Sequence, residues 1–373
     1  MYNSNIETNE TISSRHFSYS WERISMKKMI VLLSFLALLI TAACGNSTSD
    51  ITASHSPVEE SPLEKVTLLL AAEGNAMYYA YVAKEKEYFK EEGLDVDLVA
   101  GIGGGNLIQQ LIDETAHIGI IGVAMLLPFW DQGADIQAVY QINATNLFDL
   151  IVPKYSNITD VTQLKGKVIG VTEFGSAETP MVRSILASAN FKADEDVMIR
   201  EMGKDPTTIL KAFDNGEIAA FSGGAHDLVS LYATGFKSTS LVPKEYKSLP
   251  STAIIANGEF IRERPDVVEK ILRAIARATE FSIKDRNSTL AIMKEAVPNQ
   301  YKDEVAGQLF LNTFIDLATP IDTAKGYGFI NHELWEKLIE LYSTGDTPVV
   351  TKDLDLDKFL NTSFLENANM LKE

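Results

Sequence analysis

The chain has 373 residues, 46% of them apolar, with 33 Lys+Arg against 51 Asp+Glu and one cysteine. That length can fill two or three domains, each with its own core. A formal net charge of −18 excludes a phosphate-tracking nucleic-acid binder, which needs clustered cations, and one cysteine excludes a disulfide framework, a thiolate zinc site and an iron–sulfur cluster held by this chain alone.

The first elements in chain order form an address rather than a fold. Met1 to Ser25 are polar and aperiodic. They precede a complete signal sequence, so residues 1–25 are expected to be a mis-assigned start and Met26 the true one. Lys27 and Lys28 lead an apolar run from Met29 to Ile40, followed by Thr41-Ala42-Ala43 and Cys44. A basic start, a short apolar stretch and small residues make a secretory signal over 26–43. The stretch falls short of the roughly 20 residues that span a bilayer. Ile40-Thr41-Ala42-Ala43-Cys44 resembles the lipobox of bacterial lipoproteins, which implies acylation at Cys44 and an extracytoplasmic protein held on the cell membrane. A diacylated residue anchors firmly without a spanning helix. Residues 44–64, rich in Ser, Thr, Pro and Glu, read as a flexible tether with a reach of about 25 Å.

From Lys65 the pattern alternates between strand and helix. Val66–Leu70 is a short buried strand, Met77–Lys90 a helix stopped by Gly93, and Leu94–Val99 a strand of period two. A glycine loop, Gly101–Asn106, opens a helix from Leu107, and His117–Ile121 is the next strand. The rhythm restarts with strands at Lys167–Val171, Val197–Glu201 and Ile218–Phe221 and helices at Thr179–Ala189, Thr207–Asn215 and Asp227–Ala233. Strand–helix–strand repetition predicts parallel sheets, and two such units predict two α/β lobes. After a strand at Ser251–Ala256 the chain reads as helical. The helix from Pro265 is the clearest, with one apolar stripe of Val267, Val268, Ile271, Leu272, Ile275, Ala278 and Phe281.

Ligands of open parallel sheets bind beyond the carboxyl ends of the strands. The loops there supply Glu73, Asn75, Tyr78, Gly104, Asn106, Ala124, Glu173, Gly175, Ser176 and His226 as candidate ligand-binding residues. Small residues let a ligand approach backbone amides. These loops contain two glutamates and no Arg or Lys. The glycine loop has neither Walker nor dinucleotide spacing, and no G-x-S-x-G elbow is present. The five histidines are scattered, so no metal, no cofactor and no catalytic residue is expected.

The run Tyr81-Val82-Ala83-Lys84-Glu85-Lys86-Glu87-Tyr88-Phe89-Lys90-Glu91-Glu92-Gly93-Leu94, the segment Asp113–Ile120, Leu164-Lys165-Gly166-Lys167-Val168-Ile169-Gly170-Val171 and Arg264-Pro265-Asp266-Val267-Val268 together resemble the NMT1/THI5-like and SsuA-like substrate-binding proteins of ABC importers. The resemblance covers roughly residues 65 to 345. It implies a two-lobed type II periplasmic-binding fold with a ligand cleft between lobes. Lobe one would comprise 65–150 and the return 251–373, with its C-terminal helices, and lobe two 151–250. The crossovers would fall near Phe148–Lys154 and Pro250–Ala256. It also implies a monomer that hands a small molecule to an ABC permease. Family members bind pyrimidine precursors, flavin-like molecules, nitrate or sulfonates. A carboxylate can accept two N–H bonds from an aminopyrimidine edge, with Tyr78 or Phe174 stacking on the ring, so an aminopyrimidine-like ligand is favoured over a sulfonate such as taurine or a nitrate. A pyrimidine-precursor synthase and a sensory binding module are the rivals of other classes.

Overall fold

The computed structural model describes residues 62–143, 145–344 and 348–371. The start, signal and lipidation expectations, including Cys44, and all but the last residues of the tether lie outside these. Lobe one contains β1 (Glu64–Leu70), β2 (Leu94–Ala100), β3 (Ile118–Gly122) and β4 (Ile136–Gln141). Lobe two contains β5 (Phe148–Pro153), β6 (Val168–Val171), β7 (Met198–Glu201), β8 (Ala220–Gly224) and β9 (Ser238–Ser240). The chain then returns to lobe one through β10 (Thr252–Asn257).

The two sheets share one plan. Their orders are β2-β1-β3-β10-β4 and β7-β6-β8-β5-β9. In each, three parallel strands are followed by an antiparallel strand that has just arrived from the other lobe: β10 against β3, and β5 against β8. This is the two-lobed α/β plan expected from the sequence.

The crossings differ from the sequence expectation. The chain passes between lobes from Gln141 to Phe148, and Phe148 is already paired with Gly224 of β8. The segment Phe148–Lys154 is thus strand and its continuation, not linker. The return is complete by Thr252, which pairs with Gly122. Neighbouring hydrogen bonds tie the two crossings together. Asn143 Nδ2 donates to Thr252 Oγ1 at 3.1 Å, and Ser251 Oγ donates to the Thr145 carbonyl at 2.7 Å.

The expected helix Met77–Lys90 is also interrupted. It runs Tyr78–Glu85, breaks at Glu87 with φ 58°, and resumes over Tyr88–Glu91. The helix Pro265–Lys284 buries the whole predicted stripe except Phe281. It packs the outer face of lobe one, with Leu272 and Ile275 against Leu68, Ile118 and Val82 in one apolar cluster. A second cluster runs continuously through both lobes, from Leu107 and Trp130 to Leu150, Ile169 and Met181. The helix His332–Tyr342 completes it. The Trp335 ring lies tilted against Trp130 with centroids 5.6 Å apart and donates to Gln141 Oε1 at 3.0 Å, while Ser184 of lobe two donates to the Leu341 carbonyl at 2.6 Å. Among the described residues no helix is long and apolar enough to cross a membrane.

Candidate functional site

The carboxyl ends of β1, β3, β6 and β8 open onto one cleft of about 520 Å³. That is within the size range of small-molecule sites. Lobe one lines it with Ala71, Ala72, Glu73, Met77, Gly101 to Gly104, Ile121 and Met125, and lobe two with Phe148, Glu173, Gly175, Ser176, Ala177, Lys204 and His226. Its C-terminal side is closed by Gln300, Phe310 and Phe314.

Local sequence explains how these groups arrive there. Gly101 and Gly103 both hold positive φ (73° and 76°), so the loop after β2 turns sharply, and the Gly103 amide bonds back to the Ala71 carbonyl at 3.0 Å. Only glycine adopts that conformation at little cost. In lobe two, the Ser176 amide donates to the Glu173 carbonyl at 3.2 Å, and Thr179 Oγ1 donates to the same carbonyl at 3.1 Å. This turn leads into the helix Glu178–Ser188. The lobes approach closely at its start: a Cβ added to Gly122 would sit 2.8 Å from Cβ of Ala177.

Glu178 is fully buried and receives three donors, the Thr172 amide, Thr172 Oγ1 and Ser176 Oγ. Burial pushes its carboxyl above the usual range, and the hydroxyl bonds oppose that shift. His226 begins the helix after β8. Its Nε2 lies 3.1 Å from the Asp227 carboxylate, which also accepts from the Gly224 amide at 3.0 Å. The imidazole faces Phe310 and Phe314 at centroid distances of 6.0 and 6.2 Å. Burial lowers its pKa, with Asp227 acting in the opposite direction.

Of the predicted residues, Glu73, Gly104, Glu173, Gly175, Ser176 and His226 meet in the cleft. Asn75, Tyr78, Asn106 and Ala124 do not line it. Asn75 is fully buried and acts as a clasp: its amide donates to Gln300 Oε1 at 2.9 Å, its Nδ2 to the Gly307 carbonyl at 3.2 Å, and its Oδ1 accepts from the Tyr301 hydroxyl at 2.6 Å. Tyr78 lies in the lobe-one core, edge-on to Tyr79, and burial raises its phenol far above the usual range. Asn106 occupies the exposed face of the helix Gly104–Ile112, and Ala124 is buried under the turn Val123–Met125. Phe174 points outward, half exposed. Phe148, Phe310 and Phe314 are the aromatic groups of the cleft.

The sequence reading missed Lys204, Gln300, Phe310 and Phe314. Lys204 corrects the expectation of a cleft without a cation. It lies just beyond β7, so the strand-end rule reaches it once the loop after β7 is counted. Gln300, Phe310 and Phe314 come from the C-terminal helices, far from any strand end, and nothing local marks them.

A relative from Brucella abortus is 28% identical over 205 residues, 54% of this chain and 61% of that protein. The chain therefore spans less than two thirds of that relative's length. The riboflavin-binding protein RibY of Chloroflexus aurantiacus is 20% identical over 331 residues (84% of this chain, 92% of that one). The formylaminopyrimidine-binding protein of Halalkalibacterium halodurans is 21% identical over 346 residues (88% and 98%). Among solved structures, the periplasmic aliphatic sulphonate binding protein SsuA from Escherichia coli superposes with a TM-score of 0.62 at 15% identity, covering 84% of this chain and 94% of that one. That likeness is one of fold. The family model described as NMT1/THI5 like matches residues 76–288. With more than half of its length inside that match, and with two lobes closing on one cleft, this chain belongs to the NMT1/THI5-like family.

Proposed function

We propose that this chain is an extracytoplasmic solute-binding protein, lipid-anchored through Cys44, that captures a small nitrogen-containing metabolite between its lobes and delivers it to an ABC permease. The observation that carries this reading is the shared cleft, walled by a carboxylate from each lobe, Glu73 and Glu173. A ligand touching both lobes binds the closed state better than the open one, and such differential affinity drives a hinge. The favoured ligand is an aminopyrimidine-like ring. Glu73, Glu173 and Ser176 offer acceptors to its N–H groups. Gln300 offers its amide donors, because its Oε1 is already engaged by Asn75. Thr252 is free to donate, because its Oγ1 accepts from Asn143. Phe148, Phe310 and Phe314 supply the apolar walls on which a ring packs. The formylaminopyrimidine- and riboflavin-binding relatives support a nitrogen heterocycle.

Lys204 favours a second reading, a sulfonate or another anion held by its ammonium group. We read the chain as a binding protein rather than an enzyme. Ser176 bonds to Glu178 and His226 to Asp227, two separate pairs in place of a nucleophile–base relay. Titration calorimetry with formylaminopyrimidine, riboflavin and ethanesulfonate tests the reading. Saturable binding of formylaminopyrimidine without turnover is expected. Binding of ethanesulfonate alone would replace this reading with the second one, and conversion of any probe would overturn the non-enzyme assignment.

A further inference from the structure

Glu178 has no cation among its hydrogen-bond partners, although it is a fully buried carboxylate. Such a group is costly unless its lone pairs are satisfied. Three donors satisfy it, and they are of two kinds. The Thr172 amide and hydroxyl belong to the strand end behind the cleft and serve a structural role, as does the placement of a negative charge at a helix start. Ser176 belongs to the cleft wall itself. Its backbone is fixed by the turn to Glu173, and its hydroxyl proton is taken by Glu178.

A serine hydroxyl has one proton and two lone pairs. With the proton committed to Glu178, Ser176 presents only lone pairs to the cleft. We propose that Glu178 is a positioning residue that fixes Ser176 as an acceptor, so that the lobe-two rim, Glu173 and Ser176 together, selects ligands bearing N–H or O–H donors and rejects donor-free oxyanions. This rests on the binding-cleft reading above and deepens it from a fold-level ligand site to a hydrogen-bond polarity. Sulfonate and nitrate bring only acceptors. Facing Glu173 and Ser176 they would set lone pair against lone pair, and a site that leaves buried polar groups unpaired discriminates strongly.

The test uses the full chain, E178Q and S176A, with formylaminopyrimidine and ethanesulfonate as probes in titration calorimetry. Glutamine keeps the shape of Glu178 but offers an amide donor to Ser176, which frees or reverses the hydroxyl. Each variant is expected to lose at least about fivefold in formylaminopyrimidine affinity, the equivalent of one hydrogen bond, and E178Q is expected to bind ethanesulfonate more tightly than the wild-type chain does. Equal weakening toward both probes would reduce Glu178 to a structural part and overturn the proposal. S176A keeps the test open should E178Q unfold. A neutron structure of the unliganded chain reads the hydroxyl directly: a deuteron on Ser176 Oγ aimed at Glu178 is expected, and one aimed into the cleft overturns the proposal whatever the ligand. A wild-type chain that binds neither probe would refute the ligand reading, and the neutron map would still decide the hydroxyl.

Discussion

The two lobes share a sheet plan but contribute different material to the cleft. Lobe one offers backbone and apolar surface, from Ala71, Ala72 and Gly101–Gly104 to Met77, Ile121 and Met125, with Glu73 as its exposed charge. Lobe two brings Glu173, Ser176, Lys204 and His226. Their outer cores differ in the same sense. Lobe one buries a wide apolar cluster under the helix Pro265–Lys284, whereas the outer core of lobe two is a small group around Ile209, Phe213, Phe221 and Leu231. The inner face of lobe two is filled by the cluster it shares with lobe one, so the two lobes differ in their outer layers and in the polarity of the groups they bring to the cleft.

The largest effect is expected where the comparison breaks down, in the cluster common to both lobes. Trp335 is fully buried there and bonds to Gln141 beside the first crossing. Trp335→Ala is expected to cost about 3–5 kcal/mol, the range for truncating a buried aromatic, and to lower the stability of both lobes together. Chemical denaturation followed by probes in each lobe checks this. Two separated transitions, with lobe two unchanged, would show that the lobes do not share a core.

Next in size is the asymmetry of the cleft itself. Glu173→Ala is expected to weaken formylaminopyrimidine binding by about 1–3 kcal/mol, one lost bond to a half-buried polar partner. Glu73→Ala should cost less, because Glu73 is more exposed and water competes for its place. Calorimetry on the pair decides the matter, and a larger loss at Glu73 would move the selective wall to lobe one. A smaller effect is local to lobe one. The Asn257 side chain caps the helix Gly258–Glu263, accepting from the Glu259 and Phe260 amides, and its Nδ2 donates to the Leu111 carbonyl at 3.1 Å. Asn257→Ala is expected to lower stability by about 1 kcal/mol and leave ligand affinity unchanged.

The sequence carried the fold further than it carried the site. β1, β2, β3, β6 and β8 were legible because their apolar periods and glycine stops are local properties. β5 was not. Phe148–Pro153 takes its identity from pairing with β8 and β9, and no local pattern separates an arriving strand from a linker. No local pattern marks the break at Glu87, because the left-handed residue there is not a glycine. In the site, residues immediately after parallel strands were found, since topology alone places them. Asn75 and Tyr78 sat one turn too far along. The chain coils back into the core after Gly74, and their polar atoms serve packing. Gln300, Phe310 and Phe314 depend on where the C-terminal helices dock, a long-range contact that no window of sequence contains.

The smallest predicted effect joins the two lobes through His226. Its side chain is 27% exposed, yet its Nδ1 edge is sealed and without a hydrogen-bond partner. Phe310 and Phe314 face it from lobe one. Asp227 faces it from its own helix, and Glu173 and Lys204 act on it from the loops of lobe two. Burial holds its pKa below the ordinary value of 6.5, against the pull of Asp227. A base with a depressed folded pKa favours the neutral form when folded. Its contribution is therefore fully present above the unfolded pKa and is lost as pH falls below it toward the folded value. Glu178 and Asp149, both raised by burial, contribute in the opposite direction, their stabilisation being lost as pH rises. The His226 part is isolated by comparing wild type with His226→Gln. Melting temperature should fall more steeply for wild type than for the variant between about pH 7 and pH 5. Parallel curves would mean that the imidazole takes up its proton without leaving the two phenylalanines, and that the junction between the lobes is indifferent to its charge.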